Sequence, residues 1–151
     1  MKYSKIILVP DPRLEQVCDP VDDFSPETRE HIQEMKRLML ASGGIGLAAS
    51  QVGWMQRVFI MNHGRQVIAV VNPVLKRYTG TQVNAEGCLS IPDKRVEVLR
   101  PRKVEIEAFD ENGKNHILNF STLEAACALH ELDHLNGITI LSRNNKQLGI
   151  P

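Results

Sequence analysis

The stretch STLEAACALHELDHLNG, residues 121–137, decides how this chain is read. Ser121-Thr122-Leu123-Glu124 has the form of a capping box, a hydroxyl at the N-cap and a glutamate three residues on satisfying free amides. Ala125, Ala126, Ala128 and the leucines favour helix, and Gly137 stands where a C-terminal cap belongs. The pattern predicts a helix over about residues 122–136. Within it, HELDH (130–134) spaces two histidines just over one turn apart. His130 and His134 therefore share a side and can grip one metal ion. Glu131, next to the first histidine, is placed to take a proton from water that such a metal activates.

A catalytic metal needs at least one more protein ligand. Zinc proteases with this motif draw theirs from downstream, but LNGITILSRNNKQLGIP after His134 holds no Asp, Glu, His or Cys, and Ile140 stands where one class has its last histidine. The ligand must lie upstream. Cys127 shares the histidine face, but a metal held by the pair sits ~7.5 Å further along the axis, beyond a cysteine's reach. Cys127 is read as core or pocket lining, and Cys18, in a proline-rich segment without polar companions, as core or surface. His31, His63 and His116 have no partner at metal spacing and read as ordinary surface or hydrogen-bonded histidines. Cys88 remains, in the loop NAEGCLSIP, where Gly87 lets backbone approach a ligand closely. The reading is a Cys88-His130-His134 site with an open position.

The rest of the chain frames this site. With 151 residues, 42% hydrophobic and 24% charged, residues 1–151 read as one soluble globular domain. Zero formal net charge without Lys/Arg runs gives no electrostatic reason for nucleic-acid or anionic-membrane binding. The N-terminal apolar run stops at Pro10, too short for a secretory signal, and no stretch is long enough to span a bilayer. Three cysteines do not make a disulfide framework, so a reducing, cytoplasmic-type compartment is expected. Residues 10–20 read as an extended, irregular connection. Ser25 as N-cap and Pro26 at the first position open an amphipathic helix over 26–41, ended by Ser42-Gly43-Gly44. VFIMN (58–62), QVIAVVN (66–72), VEVL (96–99) and KVEIEAF (103–109) read as strands, and Asp110–Gly113 as a hairpin turn. Tight turns between such strands favour antiparallel sheet.

GIGLAASQ (44–51), EGCLS (86–90) and HELDH (130–134), in this order, resemble the peptide deformylase family. Its signatures are Gly-x-Gly-Leu-Ala-Ala-x-Gln, Glu-Gly-Cys-Leu-Ser and His-Glu-x-x-His, and the likeness runs from the first strand to Gly137. The resemblance implies an α+β fold, antiparallel strands around a central metal-binding helix with an N-terminal amphipathic helix. It implies Cys88, His130 and His134 as metal ligands and Glu131 as catalytic acid–base. Gln51 and the backbone N–H of Leu89 would face the developing oxyanion, Gly46 would border the bound peptide and Arg95 would contact it. The family's metal is Fe2+, which Zn2+, Ni2+ or Co2+ can replace. The implied reaction removes the formyl group from the N-terminal formylmethionine of nascent peptides, releasing formate. Leu123, Ala126 and Cys127, ahead of His130, are candidate walls of the methionine pocket, or else ordinary helix-to-sheet packing. A cytoplasmic monomer with a transient ribosome contact, no membrane and no direct nucleic-acid binding completes the expectation.

Two features depart from the family. Leu129 replaces a glutamine common before the first histidine, removing a hydrogen bond that could support the site. Only seventeen residues follow His134, poor in helix formers, where many bacterial members carry a further helix. That leaves open any contact made through that helix, ribosome docking included. Two other functions compete. Another metal-dependent amide hydrolase would prefer a different N-acyl group, and a non-catalytic binding protein would close its metal with a fourth protein ligand.

Overall fold

The computed structural model describes residues 3–151. Its elements run α1 (Pro26–Ala41), β1 (Gly46–Ala48), β2 (Val58–His63), β3 (Gln66–Thr79), β4 (Gln82–Cys88), β5 (Ile91–Arg100), β6 (Lys103–Phe109), β7 (Asn115–Ser121) and α2 (Leu123–Leu135), with short 3-10 turns before α1, after β1 and after α2. Five strands form an antiparallel sheet in the order β1-β2-β3-β6-β7, and β4 and β5 form a separate antiparallel hairpin. This is the α+β arrangement expected.

Helices cover both faces of the five-stranded sheet. Phe59 and Met61 on β2 join Val104, Ile106, Phe120 and the α2 residues Ala128, Leu129 and Leu132 in one core. Val58 and Ile60, pointing the other way along the same strand, pack with Ile32, Met35 and Met39 of α1 in a second core. Both sides of β2 are therefore dry, so VFIM is apolar throughout rather than alternating. On β6, with one covered face, Val104, Ile106 and Ala108 are buried while Glu105 and Glu107 face outward. The helix α1 is capped as expected, the Ser25 hydroxyl accepting from the Thr28 N–H at 3.2 Å. Each of its fully buried apolar side chains contributes ~1.5–3 kcal/mol of burial.

The central helix starts differently from the capping-box expectation. Ser121 closes β7, and Thr122 occupies the N-cap with a φ of 51° and no side-chain cap bond. Its hydroxyl donates to the Ser121 carbonyl instead. Glu124 turns away to accept from the Gly64 N–H at 2.9 Å and to bond His63 Nδ1 at 2.7 Å. The glutamate thus ties α2 to the β2–β3 hairpin, a tertiary contact outweighing the local one. Gly137 does end the helix, with a φ of 74° and Glu15 backbone packed against it.

Other differences have local causes. Within residues 10–20, Pro12–Glu15 form a 3-10 turn started by Asp11, whose carboxylate accepts from the Arg13 N–H. Strand β3 runs past Asn72 to Thr79, because Pro73 sits where the register with β6 shifts between Val71 and Val74. A bulge is one of the few places a sheet tolerates proline. Cys88 ends a strand instead of lying in a free loop, and pairs with Ile91 across the hairpin end. Leu129 is fully buried in the core beneath α2.

Candidate metal centre and active-site cleft

The fold brings Cys88 at the end of β4 to the two histidines of α2. The donor atoms of Cys88, His130 and His134 all lie within 4.8 Å of one another, and Cys88 Sγ stands 3.4 Å from His134 Nε2. Among the described residues this is the one group of three or more metal-binding side chains that converges so. Thiolate and imidazole donors at such separations fit one shared ion, each ~2.0–2.3 Å away. The donors on α2 are one turn apart, so helix geometry sets their side and the hairpin supplies the third corner.

The orientation of His130 is set from behind. Its Nδ1 bonds Glu86 Oε1 at 2.9 Å, which turns Nε2 toward the cluster. Glu86 is in turn held by buried Arg100, whose Nε and Nη2 donate to the two carboxylate oxygens at 2.9 Å each. Burial alone would raise the Glu86 carboxyl, but Arg100 and His130 overcome it and hold it below the ordinary value. Arg100 also donates to Asp133 Oδ2 at 2.8 Å, and Asp133 receives Arg143 on its other side. No such role was visible for Glu86, Arg100 or Asp133 from sequence. The available signal was a charged residue, Arg100, standing after the VEVL run of β5 and directly before Pro101.

Glu131 is buried, and its Oε1 has no hydrogen-bond partner among the described residues. Burial pushes its carboxyl up to about 7, with His130 opposing and Glu86 adding to the rise. A carboxyl poised there can both accept and deliver a proton near neutral pH. Gly46 on β1 crosses directly over it: a methyl on that glycine would lie 2.6 Å from Glu131 Oε2 and 2.8 Å from Cys127 Sγ. The glycine is thus needed for close approach.

Gln51, in the 3-10 turn after β1, has its amide orientation fixed. Oε1 accepts from the Ala48 N–H at 2.9 Å, so the NH2 group faces Ser90 Oγ at 3.0 Å and Cys88 Sγ at 3.7 Å. Leu89 follows Cys88 and packs its side chain against Gly44. These groups border a cleft of about 780 Å3, lined on one side by Gly44, Ile45 and Gly46 and on the other by the hairpin residues Glu86, Cys88 and Leu89. Arg95 also lines it, its Nη1 donating to the Ala85 carbonyl at 2.9 Å. Leu123, Ala126 and Cys127 form part of the wall, Leu123 exposed and the other two buried. Burial pushes the Cys127 thiol up, and the nearby carboxylates add to this, so it stays a neutral, weakly polar wall.

The remaining candidates stay apart from the centre. Cys18 is buried in the core with its N–H on the Leu135 carbonyl. His31 bonds the Tyr3 hydroxyl and stacks on Trp54, and His63 pairs with Glu124.

Comparison with known proteins agrees with this geometry. The family model described as Polypeptide deformylase matches residues 3–148. A peptide deformylase of Pelagibacter ubique is 37% identical, over 97% of this chain and 88% of its own length. The crystal structure of peptide deformylase from Thermotoga maritima superposes with a TM-score of 0.91 at 35% identity, covering 94% of this chain and 97% of that one. A peptide deformylase from Synechococcus elongatus, solved in complex with actinonin, gives 0.90 at 34% identity, covering 95% and 79%. Three converging donors, a buried glutamate beside them and a match over nearly the whole length lead to one conclusion: the chain belongs to the polypeptide deformylase family.

Proposed function

We infer that this chain removes the N-formyl group from the formylmethionine of nascent peptides, with Cys88, His130 and His134 holding the metal and residues 1–151 acting as one catalytic domain. The observation carrying this reading is the meeting of those three donors with the unpartnered carboxylate of Glu131 at one cleft. When bound, the metal supplies an activated water and polarises the formyl carbonyl. Glu131 accepts the water's proton and returns it to the departing amine. Its raised pKa suits both duties, because neither protonation state is strongly favoured near pH 7. Gln51 Nε2 and the Leu89 N–H donate to the oxygen on which charge builds, each worth ~2–4 kcal/mol at the barrier. The backbone of Gly46 lies along the peptide, Arg95 contacts it further out, and Leu123, Ala126 and Cys127 receive the methionine side chain.

The thiolate lowers the effective charge at the metal, which favours Fe2+ as resident ion, with Zn2+, Ni2+ or Co2+ as substitutes. The substrate exists where formylated chains are made, so we place the enzyme in the cytoplasm, a monomer acting on peptides in transient contact with the ribosome. Glu131→Ala, iron-loaded without oxygen, is expected to keep its metal and lose formate release from formyl-Met-Ala. Metal retention with unchanged turnover would overturn the assignment. So would faster release of acetate from acetyl-Met-Ala than of formate from the formyl peptide by the parent protein.

A further inference from the structure

Beyond the cleft, the segment Asn144–Ile150 is laced to the residues behind the metal ligands. Leu99 N–H donates to the Asn144 carbonyl at 3.0 Å, and Gly149 N–H to the Leu99 carbonyl at 2.7 Å, with Leu148 bridged in parallel to Leu99. The segment therefore meets β5 at Leu99 alone, gripping that residue from Asn144 on one side and Gly149 on the other, with bends at 145–147 between. It ends on two cations, Arg100 buried and Arg143 half-buried: the Gly149 carbonyl accepts from Arg100 Nη1 at 3.1 Å, and the Ile150 carbonyl from Arg143 Nη2 at 3.1 Å. Gly149 fits because it has no side chain. A methyl there would lie 2.9 Å from Arg100 Nη1 and 3.1 Å from the Leu99 carbonyl.

We propose that residues 144–150 are a positioning strap for the metal ligands, acting on His130 through Arg100 and Glu86 and on α2 through Arg143 and Asp133. Each link is direct. The strap carbonyl holds Arg100, Arg100 grips both oxygens of Glu86, and Glu86 fixes the ring of His130. On the second branch, Arg143 pairs with Asp133, the residue before His134 in α2. Two cations and two carboxylates balance in this network, and Arg100 is fully buried. Full burial of Arg100 ties its guanidinium to the Gly149 carbonyl, so moving the strap moves the guanidinium and what it holds. Loss of a group supporting a metal-ligating histidine typically costs ~10–100-fold in metal affinity.

The proposal rests on the metal reading above, and its test separates the two. Cobalt-loaded parent, Gly149→Val, Arg143→Gln and the exposed control Lys146→Ala are compared for metal loss to a chelator, thiolate-to-cobalt absorption and KM for formyl-Met-Ala. Gly149→Val and Arg143→Gln are expected to lose cobalt about tenfold faster or more, with shifted absorption bands. KM stays within about twofold, because neither residue touches the cleft, and Lys146→Ala matches the parent. Should Gly149→Val fail to fold, Gly149→Ala decides in its place, because its methyl still meets Arg100 Nη1 at 2.9 Å. Loss rates within about twofold of the parent, in a variant whose Gly149 and Leu99 amides exchange faster than the parent's, would overturn the strap and leave the metal site standing. Absence of thiolate-to-cobalt bands in the parent would instead overturn the metal reading, and the strap with it.

Discussion

Replacing Gly46 by alanine places a methyl group 2.6 Å from Glu131 Oε2 and 2.8 Å from Cys127 Sγ. Ordinary contact is on the order of 3.5 Å, so the carboxylate must retreat by about 1 Å. Gly46 sits in a regular strand paired with Met61, so the backbone gives little and the side chain must move. A displacement of ~1 Å at a reacting group costs ~100-fold in rate, roughly 2.7 kcal/mol at the barrier. Overpacking adds ~1–3 kcal/mol of destabilisation, small enough to leave the protein folded. The assay is formate release from formyl-Met-Ala at saturating substrate, with metal content measured on the same samples. Gly46→Ala should keep its metal, since no ligand is touched, and lose about two orders of magnitude in kcat. Gly44→Ala is the contrast. Its methyl would meet Leu89 Cδ1 at 2.7 Å, the far end of a flexible side chain that can swing aside, so kcat should fall by less than about tenfold. The reasoning is refuted if Gly46→Ala stays within about threefold of the parent, or if the two variants are equally damaged.

Relative to metal-free Glu131→Gln, the metal-free parent should lose stability as pH rises from 4.5 toward 7, because Glu131 is held at about 7 when folded against 4.5 for the free side chain. The opposing contribution of His134, which burial holds well below its ordinary value, is common to both proteins. Folded parent binds the Glu131 proton more tightly across that window, so this slope is negative, worth roughly 2–3 kcal/mol in total. Urea unfolding of apo Glu131→Gln should lack that slope, and an identical pH profile in the two proteins would contradict the burial argument. Gly137→Ala should cost at least ~2 kcal/mol in denaturant unfolding, because the backbone is left-handed there and a methyl would lie 2.6 Å from the Glu15 carbonyl oxygen; a loss below about 0.5 kcal/mol would count against this packing. Glu124→Ala should cost ~0.5–1 kcal/mol and speed amide exchange at Gly64, whose N–H it accepts, whereas unchanged Gly64 exchange would revive the local capping box.

The boundaries of α1, the run of β6 and the turn after it were legible because each is governed locally, by a cap, an alternation or an Asp-Glu-Asn-Gly sequence. The metal ligands were legible for a different reason. Helix period alone puts His130 and His134 together, and too few residues elsewhere could complete the set. What sequence concealed depends on distant partners. Glu124 has every local reason to cap α2, yet it reaches the β2–β3 hairpin. Pro73 looks like the end of a strand until a register shift accommodates it. Arg100 looks like a surface charge at a strand end, whereas it lies fully buried between Glu86, Asp133 and the Gly149 carbonyl. Leu129 shows the same limit. Its departure from glutamine suggested a weaker site, but the position faces the sheet core, and the support for His130 comes from Glu86.

The central claim is that a thiolate at a strand end and two imidazoles on one helix share a single ion with a free position. Anomalous diffraction at the metal absorption edge, from crystals grown with iron or nickel, tests it most directly. One peak is expected ~2.0–2.4 Å from Cys88 Sγ, His130 Nε2 and His134 Nε2. A peak elsewhere, or a fourth protein atom bonded to the ion, would contradict the account.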